Sequence, residues 1–514
     1  MWESRRVAQS AGSESPGMKQ ASLRGAVIVA ALALSACGKV NGIDVAAKNM
    51  NVADTNSIEI VGNGMWGWVG QQYSSATPWV QIPVSSYALT ADYTAGASHV
   101  LMTRTEPTEA DDVDKAQNLA FRNEYFDFLR PYLDEYQSGN LAWNVMAPDR
   151  IRTRPDRVDE RLAALRSTPH GFIKLALEHQ APFRKTSSGG ETTFMVGNQK
   201  YYGRFNAQGD LELVQTWIDY PVLGDMLIET QFDDYKLYDG VRYPSRITEL
   251  SGGWPTLRLN VTSVRANVPV SILVPEVVKN YQEPPINIVS ELVAPGVWHL
   301  RGGHNVLLVE MADHLVFVEA KEAEDDTQAV IAKGKELAPG KPVRYVVSTH
   351  PHFDHAGGLR AYMAEGATLV AHANSVEFYQ KAWSNPRTLN PDAMSRSNVE
   401  PKFLPVEDKV TLSDGNRSID VFAMRNAHHN DNMVMVYLPT EKVIWVTDIY
   451  RPSNPANAPL RDFQVQGAAE FVDNLERVGI DVAKVVTGHG NRVGTKEELL
   501  IDAGRMQPKG AKAK

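Results

Sequence analysis

The pattern of apolar and polar positions changes along the chain, and each change predicts a different kind of structure. Residues 192–267 alternate apolar and polar positions, and turn signals such as Gly197-Asn198 and Asp239-Gly240 separate the runs. Alternation with a period of two is typical of strands that bury one face. We therefore expect an antiparallel meander of five or six strands in this stretch.

Helical spacing appears before the meander. Residues 110–137 repeat apolar side chains near the helical period, and residues 157–165 do so over a shorter run. Residues 61–79 are rich in glycine and tryptophan, and we interpret the tryptophans mainly as core residues. The proline-containing segment 273–285 has the composition of a linker. Residues 58–285 are therefore expected to form one α+β domain that contains the meander.

After this linker, short apolar runs alternate with amphipathic segments. This pattern predicts strands alternating with helices over residues 286–514. The predicted strands are residues 297–301, 306–310, 315–319, 343–347, 369–371, 419–423, 433–438, 443–447 and 485–487. The predicted helices are residues 327–337, 359–364 and 468–478.

The fourth of these predicted strands leads into an unusual cluster of side chains. Residues 348–359 read S-T-H-P-H-F-D-H-A-G-G-L. Alternate residues of an extended chain share a face, so His350 and His352 can address one cation. Asp354 and His355 come after the turn and can face a second cation. Imidazole nitrogens and carboxylate oxygens suit zinc or a similar first-row metal.

Related side chains follow later predicted strands. His372, His428, Asp448 and His489 each stand at the carboxyl end of one. Open α/β sheets place their sites at these strand ends. The sequence therefore predicts a metal centre in the last domain.

Composition narrows the function classes. At 514 residues the chain is too long for one ordinary core, and two or three domains are expected. Its hydrophobic fraction of 43% and charged fraction of 22% are those of a soluble globular protein. A net charge of -9 and the absence of a basic run exclude a typical nucleic-acid-binding protein. The single cysteine excludes an intramolecular disulfide and a thiolate metal site in the main body.

The N-terminus has the features of a targeting segment. A basic stretch, residues 18–24, precedes an apolar stretch, residues 25–34, which is too short to span a bilayer. The following Leu-Ser-Ala-Cys resembles a bacterial lipobox, which implies lipidation of Cys37. Residues 1–37 are thus expected to be an upstream extension plus a lipoprotein signal peptide, with translation starting at Met1 or Met18. Residues 38–57 are expected to be a tether, and the protein a periplasmic lipoprotein held at the outer membrane.

Four motifs together resemble the metallo-β-lactamase-fold hydrolase superfamily over residues 292–493. They are Thr349-His-Pro-His-Phe-Asp-His355, Ala427-His-His-Asn-Asp-Asn432, Val446-Thr-Asp448 and Thr487-Gly-His-Gly490. The resemblance implies an αββα sandwich, in which two β-sheets lie face to face with helices outside and a dinuclear site lies at one edge.

The resemblance also implies the ligands. One metal would be held by His350, His352 and His428, the second by Asp354, His355 and His489, and Asp448 would bridge them. His428 is preferred over His429 because the family places its ligand three residues before the Asp-Asn pair. Five further residues are candidates for supporting the ligands or lining the pocket: Glu319, Thr349, His372, His429 and Tyr450. Glu319 stands where the family usually has an aspartate.

The implied activity is a zinc-dependent hydrolysis of a small ester, lactone, thioester or amide by a metal-bridging hydroxide. Two zinc ions are expected, with iron or manganese also suited to these ligands, and Asp354 would orient the nucleophile and pass on its proton. A β-lactamase is less favoured, because β-lactam-opening members generally carry Cys or Ser where this chain has Asp448. The resemblance also permits a sulfatase or phosphodiesterase, an iron-dependent redox enzyme such as a persulfide dioxygenase, or a non-catalytic binding lipoprotein. The substrate and the oligomeric state stay open.

Overall fold

The computed structural model describes residues 42–112, 117–129, 131–397, 399–456 and 458–507. The predicted signal peptide and Cys37 lie outside these residues. Within them, no helix is both long enough and apolar enough to cross a bilayer.

The first domain is built on one antiparallel sheet of thirteen strands. The strands are β1 (Ser57–Gln72), β2 (Trp79–Asp92), β3 (Ala97–Arg104), β4 (Tyr132–Ser138), β5 (Leu141–Ala147), β6 (Arg150–Thr153), β7 (Phe183–Thr186), β8 (Gly189–Val196), β9 (Gln199–Asn206), β10 (Leu211–Tyr220), β11 (Gly224–Tyr238), β12 (Val241–Ser251) and β13 (Trp254–Ala266). Strand β1 pairs with both β2 and β13, so two meanders lie side by side in the order β6 to β1 and then β13 to β7. The predicted meander of residues 192–267 corresponds to the six strands β8 to β13.

Five helices accompany this sheet. They are α1 (Gly42–Asn49), α2 (Leu119–Phe128), α3 (Val158–Ser167), α4 (Pro169–Glu178) and α5 (Glu276–Lys279). Buried side chains of α1 and α4, among them Ile43 and Phe172, pack with the strands in one hydrophobic core.

Glycines bend the central strand of the sheet. The pairing of β1 shifts at Gly62 against β13 and between Gly62 and Gly64 against β2. A Cβ on Gly64 would lie 1.8 Å from the backbone oxygen of Arg258, which explains why no side chain stands there. Bulges and glycines of this kind curve a sheet, and sheets of more than about ten strands seldom stay flat.

Two expectations for this domain are wrong. The predicted tether is a folded part of the domain from residue 42 onwards, because Ile43 and Ala46 on α1 are at most 1% exposed. Small and polar residues surround these two positions in the sequence, so the helical spacing of the apolar residues is weak there. Within the described part of residues 110–137 the α-helix covers Leu119–Phe128, and the end of the stretch forms strand β4. Aromatic residues are so frequent in this stretch that some fall at helical spacing by chance. Pairing with strand β3 nevertheless makes its end a strand.

The second domain has two sheets. The seven-stranded sheet contains β14 (Val289–Ala294), β15 (Val297–Arg301), β16 (Val306–Glu310), β17 (Leu315–Val318), β18 (Val343–Val347), β19 (Thr368–His372) and β20 (Lys402–Val406). The six-stranded sheet contains β21 (Lys409–Ser413), β22 (Ser418–Ala423), β23 (Val434–Leu438), β24 (Val443–Val446), β25 (Lys484–Thr487) and β26 (Gly494–Thr495). The helices are α6 (Glu324–Leu337), α7 (Phe353–Ala356), α8 (Leu359–Ala364), α9 (Ala373–Trp383), α10 (Ala393–Arg396), α11 (Asp462–Val478) and α12 (Lys496–Asp502).

The two sheets face each other across a valine-rich core, to which both contribute; examples are Val318, Val347, Val436 and Trp445. Helices α6 and α8 pack outside the first sheet, and α11 and α12 pack outside the second. The expected αββα sandwich is thereby confirmed. Strands β17, β18 and β24 end on the same side as the histidine cluster, which brings their following residues together.

The two domains are joined by direct hydrogen bonds as well as by the linker. The loop after α9 lies on the turn between β10 and β11. Asp225 accepts hydrogen bonds from the backbone N–H and the hydroxyl of Thr388 at 2.9 and 2.6 Å. Its own N–H donates to the carbonyl of Pro386 at 2.8 Å.

Candidate metal centre

The cluster begins where strand β18 ends. His350 and His352 lie on the extended segment after the strand, and Asp354 and His355 lie on the single turn of α7. The backbones of Glu319 after β17 and of Asp448 after β24 adopt positive φ angles of 85° and 56°. Such conformations cost free energy for residues other than glycine and concentrate at functional sites.

Asp448 lies at the centre of the cluster. Its carboxylate oxygens lie close to four imidazole Nε2 atoms, at 3.2 Å from His350, 2.9 Å from His355, 3.4 Å from His429 and 2.7 Å from His489. The ligand atoms of two overlapping groups lie within 4.8 Å of one another: His350, His352, His429 and Asp448 in one, and His355, Asp448 and His489 in the other. One carboxylate thus belongs to both groups, as a bridging ligand would.

A third group adds a residue to which the sequence motifs assign no role. His304 shares this group with Asp354 and His489. Its Nδ1 donates to the backbone oxygen of Asp354 at 2.9 Å, which leaves Nε2 facing the Asp354 carboxylate at 3.8 Å. Lys321 fixes this arrangement, because its ammonium donates to the carbonyls of Gly302 and His304.

The structure reverses the preference for His428 over His429. The Nε2 atom of His429 lies 3.1 Å from Nδ1 of His352, inside the first group. His428 turns its Nδ1 to Glu470 at 2.7 Å, and its Nε2 lies 3.5 Å from Glu124. The group of ligand atoms therefore includes His429 and not His428.

Glu319 and Thr349 support the ligands. The Glu319 carboxylate accepts hydrogen bonds from the backbone N–H of Thr349 at 3.0 Å and from Nδ1 of His355. The Thr349 hydroxyl lies 3.1 Å from Nδ1 of His350. Such contacts fix the orientation and tautomer of a metal-binding imidazole. The longer glutamate therefore makes the contact expected of the usual aspartate.

His372 and Tyr450 do not support the cluster. His372 begins helix α9, where its Nδ1 accepts a hydrogen bond from the backbone of Asn374 at 3.3 Å. The hydroxyl of Tyr450 donates to Asp502 at 3.0 Å and its ring packs in the core below α11. Tyr450 nevertheless borders the cavity beside the cluster, as a pocket-lining residue would, whereas His372 does not border it.

The first domain contributes four residues to this centre. The carbonyl of Gln72 accepts from Nε2 of His352 at 2.8 Å. The amide of Gln71 donates to Asp354 at 2.9 Å, and the Tyr125 hydroxyl donates to that same Gln71. Both oxygens of Glu124 lie 3.0 Å from Nδ1 of His429. No motif in the sequence marks these residues, which lie more than 220 positions from the residues of the second domain that they contact.

The electrostatics follow from packing opposite charges in a buried site. Burial alone would raise the pKa of Asp448, but His489 and His355 hold it well below its usual value. Burial would lower the pKa of His429, but Glu124 and Asp448 raise it to about 10. Burial lowers the pKa of His350. Asp448 opposes this effect, and His355 lowers the pKa further.

The donor set fits zinc. Nε2 of His350 is buried and has no hydrogen-bond partner among the described residues, although Asp448 lies 3.2 Å away. A buried imidazole nitrogen without a partner is costly unless something satisfies its lone pair. Because Glu319 and Gln72 take the outer N–H groups of His355 and His352, their other nitrogens are directed at the same centre. Imidazoles with carboxylates are typical zinc ligands.

Comparison with known proteins agrees with this geometry. The model of the metallo-β-lactamase superfamily matches residues 303–489. These residues form a metallo-β-lactamase superfamily domain. The match covers the histidine cluster, Asp448 and His489, and it excludes the thirteen-stranded sheet. The match supports a metal-dependent hydrolase in this part of the chain.

Individual relatives are distant. A metallo-β-lactamase type 2 from Bacillus sp. (strain 170) is 24% identical over 197 residues, which is 38% of this chain and 70% of that protein. The crystal structure of DIM-1 metallo-β-lactamase has a TM-score of 0.33 and 20% identity, covering 42% of this chain and 95% of that one. The sec-alkylsulfatase Pisa1 from Pseudomonas sp. has a TM-score of 0.32 and 18% identity, covering 42% and 41%. The two likenesses to solved structures are too weak to carry an argument about function.

Proposed function

We propose that the protein is a dinuclear zinc hydrolase that cleaves an ester, lactone, thioester or amide. The observation that carries the proposal is the Asp448 carboxylate, which lies within 3.4 Å of four imidazole nitrogens from three motifs and belongs to two ligand groups. Two adjacent ions sharing one carboxylate are typical of hydrolases that use two metals.

The residues that would hold the ions divide between the two groups. One ion would be held by His350, His352 and His429, and the other by His355 and His489, with Asp448 shared. Asp354 would join the second ion, because it forms the third group with His489 and its Oδ2 lies 3.3 Å from Nε2 of His355. Zinc, when bound, supplies Lewis-acid activation of water and of a carbonyl oxygen.

Asp354 is placed to move a proton. Its Oδ1 is held by the amide of Gln71 at 2.9 Å, whereas its Oδ2 lies 3.3 Å from Nε2 of His355 and borders the open cavity. A carboxylate held in this way can take a proton at Oδ2 and return it to a leaving group. Nε2 of His304, 3.8 Å from the same oxygen, limits the positions that Oδ2 can adopt.

Chelation combined with a substrate panel tests this proposal. The panel contains chromogenic esters, lactones, thioesters, amides, cephalosporins, sulfate esters and phosphodiesters, each assayed with and without a chelator. We expect turnover of a carbonyl substrate, its loss on chelation, its recovery with zinc, and roughly two zinc ions per chain by elemental analysis. Carbonyl hydrolysis that survives exhaustive chelation, or one iron per chain with no hydrolysis, would contradict the proposal. The cephalosporin and sulfate assays address the activities named for the Bacillus and Pseudomonas relatives.

We also propose that the protein is anchored to the outer membrane through lipidated Cys37, because the lipobox-like Leu-Ser-Ala-Cys ends an apolar run in a basic context. The unaltered protein should incorporate a labelled fatty acid in cells and Cys37→Ser should not, with unchanged hydrolysis per molecule. Immunoprecipitation followed by detection of the label measures the difference. Equal labelling of Cys37→Ser and the unaltered protein would rule out this anchor.

A further inference from the structure

The metal centre opens into a cavity that is much larger than a small substrate needs. The cavity has a volume of about 1990 Å³, whereas ordinary ligand pockets have about 300–1,000 Å³. Asp354, His429, Asp448 and His489 border it on one side. The rest of its wall belongs mainly to the thirteen-stranded sheet of the first domain. One continuous space therefore connects the cluster with the interior of that sheet.

The wall is one face of the sheet. Along β3 the residues that border the cavity alternate, and they are Ser98, Val100, Met102 and Arg104. Ile228, Thr230 and Phe232 alternate in the same way along β11. Since successive side chains of a strand point to opposite faces, one face of β3 and β11 lines the space. Leu101, next to Val100, does not border the cavity and is 43% exposed.

Neighbouring strands continue this wall as rows of apolar side chains. Ile60, Leu89 and Val100 are consecutive cross-strand partners on β1, β2 and β3. Two parallel rows consist of Tyr87, Met102 and Leu133, and of Phe232, Ile247 and Leu259. All nine side chains border the cavity. A large apolar wall inside a hydrolase indicates an apolar ligand.

Some charged groups on the wall have a partner there. Arg161 pairs with Glu135 at 2.8 Å, and the guanidinium of Arg157 donates to Glu160 at 2.6 Å. Arg104 lies over the ring of Trp66 at 5.1 Å. These three arginines are thus held by groups of the wall itself and leave the apolar rows available to an uncharged part of a ligand. Burial also raises the pKa of Glu249 on the same wall to about 7, which reduces its charge at neutral pH.

Strand β1 gives the length of the space. Its residues that border the cavity lie between Ile60 at one end and Gln71 at the other, and the amide of Gln71 contacts Asp354 at the metal centre. At about 3.3 Å per residue, this stretch spans on the order of 30 Å. The cavity is therefore long in the direction that leads away from the reacting groups.

We propose that this chamber binds a single long acyl or alkyl chain of the substrate, while the bond to be cleaved lies at the metal centre. This inference rests on the proposed hydrolase function and adds the substrate class: a long-chain amphiphilic ester, thioester, lactone or amide. The chain lies against the rows of Ile60 and Tyr87, and the polar head faces Asp354.

A chain-length series tests the inference on the metal-loaded protein. With p-nitrophenyl esters from acetate to dodecanoate, kcat/KM should rise by up to about fourfold per methylene until the chamber is filled, mainly through KM. Val100→Trp places a bulky ring among the apolar rows and should lower the preference for dodecanoate over acetate at least about tenfold, without loss of acetate hydrolysis. Leu101→Trp, on the opposite face of the same strand, is the matched control and should keep the preference. If Val100→Trp does not fold, Leu89→Trp, its cross-strand neighbour, replaces it.

A binding measurement separates this inference from the proposed function. A dansyl-labelled undecanoate, which cannot be hydrolysed, is titrated into the metal-loaded protein and displaced with dodecanoate or acetate. We expect binding that dodecanoate displaces and acetate does not, and that Val100→Trp weakens at least about tenfold. Such binding without hydrolysis of any carbonyl substrate would retain the chamber and reject the hydrolase. Hydrolysis without chain-length preference and without probe binding would retain the hydrolase and overturn the chamber.

Discussion

Replacing Asp448 with asparagine is expected to lower kcat by at least about 10²–10³-fold while the protein stays folded. The carboxylate is the group shared by the two ligand sets, and it lies within 3.4 Å of four imidazole nitrogens. Asparagine has the size of aspartate but lacks the negative charge and one anionic oxygen. Two metal ions that share this side chain would therefore be bound less tightly and positioned less accurately. Removing a single charge-stabilising group from a catalytic site costs about this much.

Turnover of the best panel substrate, metal content and thermal unfolding measure this effect together. Asp408→Asn is the matched control, because that aspartate is 73% exposed at its side chain and pairs only with Arg425 on the surface. It should leave all three quantities nearly unchanged. Full activity of Asp448→Asn with two ions bound would contradict the shared role of this carboxylate.

Replacing His429 with alanine is expected to remove about one metal ion per chain and to lower kcat by at least about tenfold. Its Nε2 lies 3.1 Å from His352 and 3.4 Å from Asp448, inside the first ligand group. His428 faces Glu470 instead, so His428→Ala should keep both ions and lose at most a part of the stability. Metal affinity falls steeply when one of three protein ligands is lost.

The neighbouring histidines thus form their own matched pair. Elemental analysis after dialysis against a small excess of zinc, followed by assay of both variants, decides between them. The reverse outcome, in which His428→Ala loses the ion and His429→Ala keeps it, would return the ligand to the position that the family spacing favours.

Much of the second domain was predictable from its sequence because local signals agree there. Strand Val343–Val347, for example, is rich in β-branched residues, and its bounds in the structure match the pattern. The first four metal-type side chains fall within six positions, so the chain itself keeps them together. The spacing around His428 and His429 was misleading, since it favours His428. The carboxylates of Glu470 and Glu124, which bind the Nδ1 atoms of His428 and His429, decide which side chain enters the cluster.

The contributions of the first domain were not predictable. Gln72 acts through a backbone carbonyl, which every residue possesses. Glu124 lies on a short helix and is one of the 61 acidic residues of the chain, so nothing in the sequence distinguishes it. The curvature of the thirteen-stranded sheet comes from bulges at Gly62 and Gly64, which the sequence shows only as glycines in an aromatic-rich segment. The size of the chamber follows from that curvature and from the placement of a second domain, neither of which is encoded in local periodicity.

The contacts of Gln72 and Glu124 with His352 and His429 have an energetic consequence. The first domain orients these histidines, so association of the two domains strengthens metal binding. By linkage, a bound ion strengthens association of the domains by the same free energy. Metal occupancy and domain association are then two readings of a single coupled equilibrium. A segment consisting of the second domain alone would retain every ligand and yet bind the metal more weakly than the full chain.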